Sequence, residues 1–378
     1  MIRSYPERIS WMTWLPESLR NLRRDVFFLV LLGVAILFAV AMPSRVSSWP
    51  ALVDWPTIAA LTGLLILTKA VEESGALAHA GRWLIDRTST RRLAALGLVA
   101  ATALLSMLLT NDVSLFVMVP LTLSMCRIAR MPAMRLVIFE ALAVNAGSML
   151  TPIGNPQNLF LWQQWGIGFG GFVWAMLPVV AIALVLLLAL TAVAFPATRL
   201  EVHEHVKNGL DRTMLVVAAV LYLPFLVLAD LHYVAWGLVG VFVVFAVFRP
   251  RILAAIDWGL LLTFVLMFID LRMLAGLDVV KSALGALDLQ QPLHLFGAGA
   301  VASQVVSNVP AAILLAEYSH DWRTLAWAVN VGGFGFILGS LANLIALRLL
   351  GEKKAWATFH LWSVPFFLVM ATISALLL

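Results

Sequence analysis

The chain has a single cysteine, Cys126, in 378 residues. Internal disulfides and multi-cysteine metal or thiol sites are therefore excluded, and a lone cysteine in an apolar run reads as core packing. Charge is also scarce. Asp, Glu, Lys and Arg make up 12% of the residues, against roughly 25% in soluble domains. No G-x-x-x-x-G-K-[ST] loop occurs, so nucleotide-driven work would need a separate subunit. His203 and His205 lie in a charged stretch, while His320 and His360 stand alone. There is thus no His/Glu metal cluster and no nucleophile with a nearby base, as a membrane-embedded enzyme would need.

What abounds is apolar surface: 62% of the residues are hydrophobic and the mean hydropathy is +0.97. Apolar stretches of about 18 residues or more recur from Asp25 to the C-terminus, each long enough for a bilayer core of roughly 30 Å. The expected fold is an all-α polytopic bundle with spans at 25–42, 55–74, 136–162, 171–195, 213–229, 233–248, 258–276, 324–347 and 356–377, and hairpins at 93–126 and 293–316. The second arm of the later hairpin, Val309 to Ala316, is too short to cross, which favours re-entrant hairpins over pairs of full spans.

Most of the 25 Lys and Arg residues fall on one side of this scheme. They include Arg3, Arg8, Arg20, Arg23 and Arg24, the arginines of 75–92 and 127–135, then Arg199, Lys207, Arg212, Arg249, Arg251, Arg348, Lys353 and Lys354. Arg45, Lys281 and Arg323 lie opposite. The positive-inside rule then places the N-terminus in the cytoplasm and the C-terminus outside, in a multi-pass protein expected in a bacterial inner membrane. The net charge of +5 is a topology signal, not a nucleic-acid footprint. Residues 1–24, with Trp11 and Trp14 beside arginines, suit an amphipathic stretch on the cytoplasmic surface; no convincing cleavage site makes them a secretory signal.

Two Asn-bearing segments are each written twice. Thr110-Asn111-Asp112 is followed by Val144-Asn145-Ala146-Gly147 and by Thr151-Pro152-Ile153-Gly154-Asn155-Pro156-Gln157-Asn158; Ser307-Asn308-Val309 is followed by Val329-Asn330-Val331-Gly332 and by Gly339-Ser340-Leu341-Ala342-Asn343. Asn145, Gly154 and Asn158 match Asn330, Gly339 and Asn343 at one offset of 185. Asp54-Trp55 likewise recurs as Asp257-Trp258, and Lys69 falls opposite Arg272. One extra span, 213–229, intervenes, so the expected organisation is two inverted repeats, 25–195 and 213–378, joined by a cytoplasmic linker at 196–212. Each repeat holds a hairpin and a broken helix, a pattern that points to the binding site of a secondary transporter.

The breaks have a chemical use. Pro152, Pro156 and the glycines interrupt the helix and free backbone groups, which survive in a membrane only where protein or a wet cavity satisfies them. Freed carbonyls and Asn or Thr oxygens suit a hard cation, and half-helix N-termini suit an anion. The candidate ion ligands are Thr110, Asn111, Asp112, Asn145, Gly147 and Gly154 in the first half, and Ser307, Asn308, Gly332 and Gly339 in the second. The candidate anion contacts are Asn111, Asn155, Asn158, Ser307, Asn308, Ser340 and Asn343. Asp112 and Glu140 are candidates for proton coupling, since intramembrane acids are functional by default; Glu140 could instead pair with Arg135 or Arg130. Asp270 and Arg272, two apart on a helix, need partners elsewhere, whereas Lys69 is placed to pair with Glu72 and Glu73. No cofactor is expected beyond sodium or a proton as coupling ion.

On these motifs the chain resembles the ion transporter superfamily, which includes divalent-anion/sodium symporters, citrate transporters, arsenite permeases and NhaD-type sodium/proton antiporters. Thr151 to Asn158 resembles the signature of its first broken helix, and Thr110-Asn111-Asp112 and Ser307-Asn308-Val309 sit where carboxylate symporters carry Ser-Asn-Thr. Asp112 in place of Thr, and Glu140 before the broken helix, look more like the arsenite-permease and NhaD branch. The resemblance implies a homodimer of ion-coupled anion transporters working by alternating access; cation/proton antiport or arsenite efflux is the other reading.

Overall fold

The computed structural model describes residues 22–77, 79, 88–129, 131–199, 209–352 and 354–378. The expected surface stretch 1–24 thus lies almost wholly outside the described residues, as do Arg130 and most of the linker 196–212. Apart from one isolated bridge between Thr90 and Arg199, the described chain is helix, turn and loop.

Helix starts follow from local chemistry. Asp25 caps α1 (Val26–Ala41) by accepting from the amides of Phe27 and Phe28. Asp54 caps α2 (Trp55–Glu73) through Thr57 N at 2.9 Å, and Asp257 caps α10 (Trp258–Ala275) through Leu260 N at 2.9 Å. The recurring Asp-Trp pair is therefore an N-cap and first residue in both places, a carboxylate satisfying an orphan amide. Between them come α3 (Arg91–Leu108), α4 (Asn111–Ala129), α5 (Ala133–Ser148), α6 (Pro156–Trp165), α7 (Phe169–Ala194), α8 (Arg212–Asp230) and α9 (Val234–Phe248). After α10 come α11 (Pro292–Val306), α12 (Asn308–Ala316), α13 (Trp322–Gly332), α14 (Leu341–Leu350) and α15 (Ala355–Leu376). The segment 136–162 is broken between Ser148 and Pro156, and 324–347 between Gly332 and Leu341. The segment 93–126 is two helices meeting at Leu109-Thr110, and 293–316 is two meeting at Ser307.

Among the described residues, α3, α7, α8, α10 and α15 are each long and apolar enough to cross a membrane, and α1 joins them if the 118° bend into 43–52 is counted within one span. Outward faces are apolar, with Val193 on α7, Val220 on α8 and Leu361 on α15 well exposed, as are Trp236 and Val247 on the shorter α9, as lipid contact requires. The chain is a multi-pass membrane protein. Its centre is α5, buried without interruption from Leu136 to Ser148.

The packing follows the sequence duplication. α3 packs on α5 as α11 packs on α13; α14 lies against α4 and α5, and α6 against α12 and α13. A second group lies beside it: α8 and α9 pack on α2, and α1 packs on α10, while α2 touches α6 and α10 touches α12.

Basic segments gather through direct bonds. Arg92 Nε donates to Phe195 O and Arg135 to Ala194 O, while Arg91 N donates to Thr198 O. Asp211 N donates to Ser74 O, and Arg249 meets the Asp211 carboxylate at 3.4 Å. Asp211 also caps α8, and the amide of Met214, with Arg249 beside it, holds its carboxyl below the usual carboxylate range. Lys69 reaches Glu72 at 3.2 Å and Glu73 at 3.8 Å within α2, the expected local pairs.

Candidate functional site

Both helix breaks are held by side-chain amides that cross from one half of the chain to the other. Asn145, near the end of α5, donates from Nδ2 to Asn343 Oδ1 on α14 at 2.8 Å. Asn330, near the end of α13, donates from Nδ2 to Asn158 Oδ1 on α6 at 2.6 Å. The two bonds map onto each other at the same offset of 185. Each donor also bonds the carbonyl four residues back, Ala141 for Asn145 and Ala326 for Asn330. Each acceptor uses its own Nδ2 on carbonyls of its break: Asn158 on Ser148, Met149 and Thr151, and Asn343 on Gly333 and Phe336. Asn158 and Asn343 therefore have no amide group left over.

The second half of each broken helix starts from a side-chain cap at matching positions. Asn155 Oδ1 accepts from Asn158 N at 2.9 Å, and Ser340 Oγ accepts from Ala342 N at 3.3 Å. Asn155 Nδ2 also donates to Asn330 Oδ1 at 2.9 Å. Gln157, which motif reading passed over, adds a second donor to the same oxygen from Nε2 at 3.1 Å. Its position within the repeated motif, with Ala342 as counterpart, is the only trace of it in the sequence.

The hairpin tips close on these breaks. Asn111 N donates to Gly154 O at 2.8 Å, which seats the first tip on the turn before α6. Asn111 Oδ1 accepts from Asp112 N at 3.0 Å. In the second half, a Cβ built on Gly333 would lie 3.3 Å from both Asn145 Oδ1 and Asn308 Nδ2, so both amides border that glycine. Thr110, Asn111, Ser307 and Asn308 are all buried. Ser307 has φ 75° and ψ 158°, a region open essentially to glycine alone, where a side chain stores about 1–3 kcal/mol of strain. One residue must turn α11 into α12, and it is a hydroxyl rather than a glycine.

Close packing explains two of the glycines. A Cβ on Gly147 would collide with the carbonyl of Ala103 and the hydroxyl of Ser106, and one on Gly332 would lie 2.7 Å from Ser303 Oγ and 3.1 Å from Ala300 O. Both let the first hairpin arm of their own half approach. The carbonyls of Gly147 and Gly332 already accept, from Leu150 N and from Gln304 Nε2. A Cβ on Gly339 would lie 2.6 Å from Gly332 O.

The two candidate acids differ in setting. Glu140, fully buried on α5, accepts from Thr122 Oγ1 on α4 at 2.5 Å, and its Oε2 has no hydrogen-bond partner. Arg135 turns instead to Ala194 O and to the rings of Phe195 and Trp362. Asp112 Oδ1 and Thr110 Oγ1 are buried without hydrogen-bond partners. On α10, both oxygens of Asp270 are likewise unpartnered. Arg272 meets Glu317 at 3.0 Å, Gln164 Oε1 at 3.2 Å and Leu52 O at 2.7 Å.

A family model described as "Citrate transporter" matches residues 11–332. The chain is 45% identical over 363 residues to inner membrane protein YbiR of Escherichia coli, covering 95% of this chain and 97% of that protein. It is 30% identical over 329 residues to uncharacterized transporter MJ0456 of Methanocaldococcus jannaschii, covering 86% and 90%. A Dictyostelium discoideum protein that carries the name arsB is 24% identical over 137 residues, covering 36% and 24%. The chain belongs to the citrate transporter family, within the ion transporter superfamily that its motifs resemble, and it is a membrane transporter.

Proposed function

We propose that this chain is a secondary active transporter that carries a small anion or oxyanion across the membrane by alternating access, coupled to sodium or protons. The observation that carries this reading is that the N-terminal turns of α6 and α14 sit in one lattice of crossed asparagines, with the tip before α4 bonded to the turn that leads into α6. Helix N-termini present unpaired N–H groups and positive dipole ends, which favour an anion. Asn111, Ser307 and Asn308 at the tips are the side chains placed to touch it, and Asn155, Asn158, Ser340 and Asn343 hold the frame. Thr110 Oγ1 and Asp112 Oδ1, buried without partners, are oxygens suited to the coupling cation.

The two repeats, in this reading, are inverted copies, each with a re-entrant hairpin and a broken helix. The crossed bonds tie both breaks together, so α3–α7 and α11–α15 move as one body. The group α1, α2 and α8–α10 forms a scaffold, and the exposed apolar faces of α8 and α9 suit lipid and a second subunit in a homodimer. Arg272 on the scaffold grips Glu317 and Gln164 on the moving body. The N-terminus is cytoplasmic, the C-terminus is outside, and the membrane is a bacterial inner membrane, as the name of the Escherichia coli relative suggests for that protein.

Ligand-dependent thermal stabilisation tests the substrate, because a ligand that binds the folded state raises its melting temperature by mass action. Citrate, succinate, sulfate, phosphate and arsenite would each be added to purified protein with and without sodium. At least one should stabilise the protein and be taken up by proteoliposomes under an imposed cation gradient; no response to any anion would reject anion transport. The second reading, sodium/proton antiport or arsenite efflux, is favoured by Asp112 at the tip and by Glu140 facing Thr122. Sodium/proton exchange in proteoliposomes without any anion would select it.

A further inference from the structure

Backbone groups orient every amide around Asn330, and one buried oxygen is left over as a result. Asn158 must turn its NH2 toward the carbonyls of Ser148, Met149 and Thr151, so its Oδ1 faces Asn330. Asn330 then turns its own NH2 to that oxygen and to Ala326 O, which makes Asn330 Oδ1 an acceptor. Asn155 Oδ1 is committed to the amide of Asn158, so its NH2 is what reaches Asn330. Gln157 can join only as a donor, through Nε2 at 3.1 Å. Its Oε1 is thereby forced away from the lattice, on a residue 1% exposed, and accepts nothing. A buried carbonyl oxygen without a partner carries its full desolvation penalty, so a ligand is the natural reason to keep it.

The chemistry of that ligand follows from what else is unsatisfied nearby. Asn111 N on Gly154 O brings the first tip to the turn that leads into α6, whose first turn carries Gln157. Three buried atoms on residues that flank this contact, Thr110 Oγ1, Asp112 Oδ1 and Gln157 Oε1, have no hydrogen-bond partner, and all three are oxygens. A set of oxygens asks for a hard cation rather than an anion. At the offset of 185 the counterpart of Gln157 is Ala342, so the second half supplies no such oxygen at that position.

We infer that Gln157 is a ligand, through Oε1, of a monovalent cation bound in the first half, and that this site has no equivalent Gln ligand in the second. The inference rests on the cation-coupled reading above and assigns sodium as the ion. The test is a thermal-unfolding titration of the purified full chain with sodium chloride, choline chloride replacing it at constant ionic strength, and with potassium chloride in parallel. Wild type should be stabilised by sodium over choline. Gln157→Leu should require about tenfold more sodium for the same stabilisation, one ligand being worth about 1.4 kcal/mol by that ratio. Gln157→Asn keeps both amide groups but withdraws the oxygen by one methylene, so it should shift the response from sodium toward potassium, a change that a purely structural role would not produce. Should Gln157→Leu fail to fold, Gln157→Asn decides alone. Variants that titrate with sodium as wild type does would overturn the role of Gln157 and leave cation coupling standing. A wild type that does not distinguish sodium from choline would reject sodium itself, and the inference with it.

Discussion

Asn145 and Asn343 lie 198 residues apart in the chain and share a hydrogen bond of 2.8 Å, the counterpart of the one from Asn330 to Asn158 at 2.6 Å. Each bond joins the first part of one broken helix to the second part of the other. Neither half can therefore complete its break alone.

Removing either partner should expose that dependence. Asn343→Ala removes one of the two acceptors of Asn145 Nδ2 and takes the side-chain donor from the carbonyls of Gly333 and Phe336, and should destabilise the protein by about 1–3 kcal/mol. Asn145→Ala should do similarly, and the double variant should lose less than the sum, since the two share one interaction. Thermal unfolding of the four proteins gives the coupling directly; strict additivity would mean that the bond contributes nothing.

Ser307 offers a trade between stability and activity. Glycine accepts φ 75° and ψ 158° freely, so Ser307→Gly should gain stability, up to about 1–3 kcal/mol of released strain. It also removes a hydroxyl from the second tip, so transport should fall. A variant that gains stability and transports normally would mean that the hydroxyl touches no ligand.

Asp112 separates the coupling ions. Asp112→Asn preserves shape but cannot exchange a proton or attract a cation by charge. Proteoliposomes carrying it should lose the response to an imposed proton or sodium gradient while keeping exchange of unlabelled for labelled substrate. An unchanged gradient response would remove Asp112 from the coupling site.

Arg272 on α10 meets Glu317 at the end of α12 and Gln164 on α6, a contact that in the alternating-access proposal joins scaffold to moving body. Because Glu317 is 37% exposed, the pair adds little to stability, about 1 kcal/mol or less, but it opposes separation of the two bodies. In a background carrying Gln164→Cys as a probe, Glu317→Gln should speed modification by a thiol reagent several-fold with little change in melting temperature. Equal rates would show that the contact does not restrain motion.

Orientation is open to labelling in intact cells. A Gly209→Cys probe should resist an impermeant thiol reagent, and a Ser282→Cys probe should react, the native Cys126 being buried. The reverse pattern would invert the proposed topology.

Much of this molecule is legible residue by residue. Proline, glycine and Asp caps act within one helical turn, so the starts of α2 and α10 and the breaks after Ser148 and Gly332 follow from the local sequence. Lys69 with Glu72 and Glu73 was equally local. Glu140 was not: its carboxylate meets Thr122 on α4, while the nearby Arg135 goes to α7 and α15.

The sequence by itself determined a polytopic transporter with duplicated, broken, Asn-rich segments, because hydropathy, helix breaking and capping are short-range properties. Only the tertiary structure decided which polar groups are consumed and which stay free. Asn158 and Asn343 read as ligands in the sequence, and the fold gives both amide groups of each a partner, whereas Gln157, beside Asn158, keeps an oxygen without one. The difference arises because a buried amide is satisfied by whatever the fold brings within about 3 Å, and neither its residue type nor its motif records that partner.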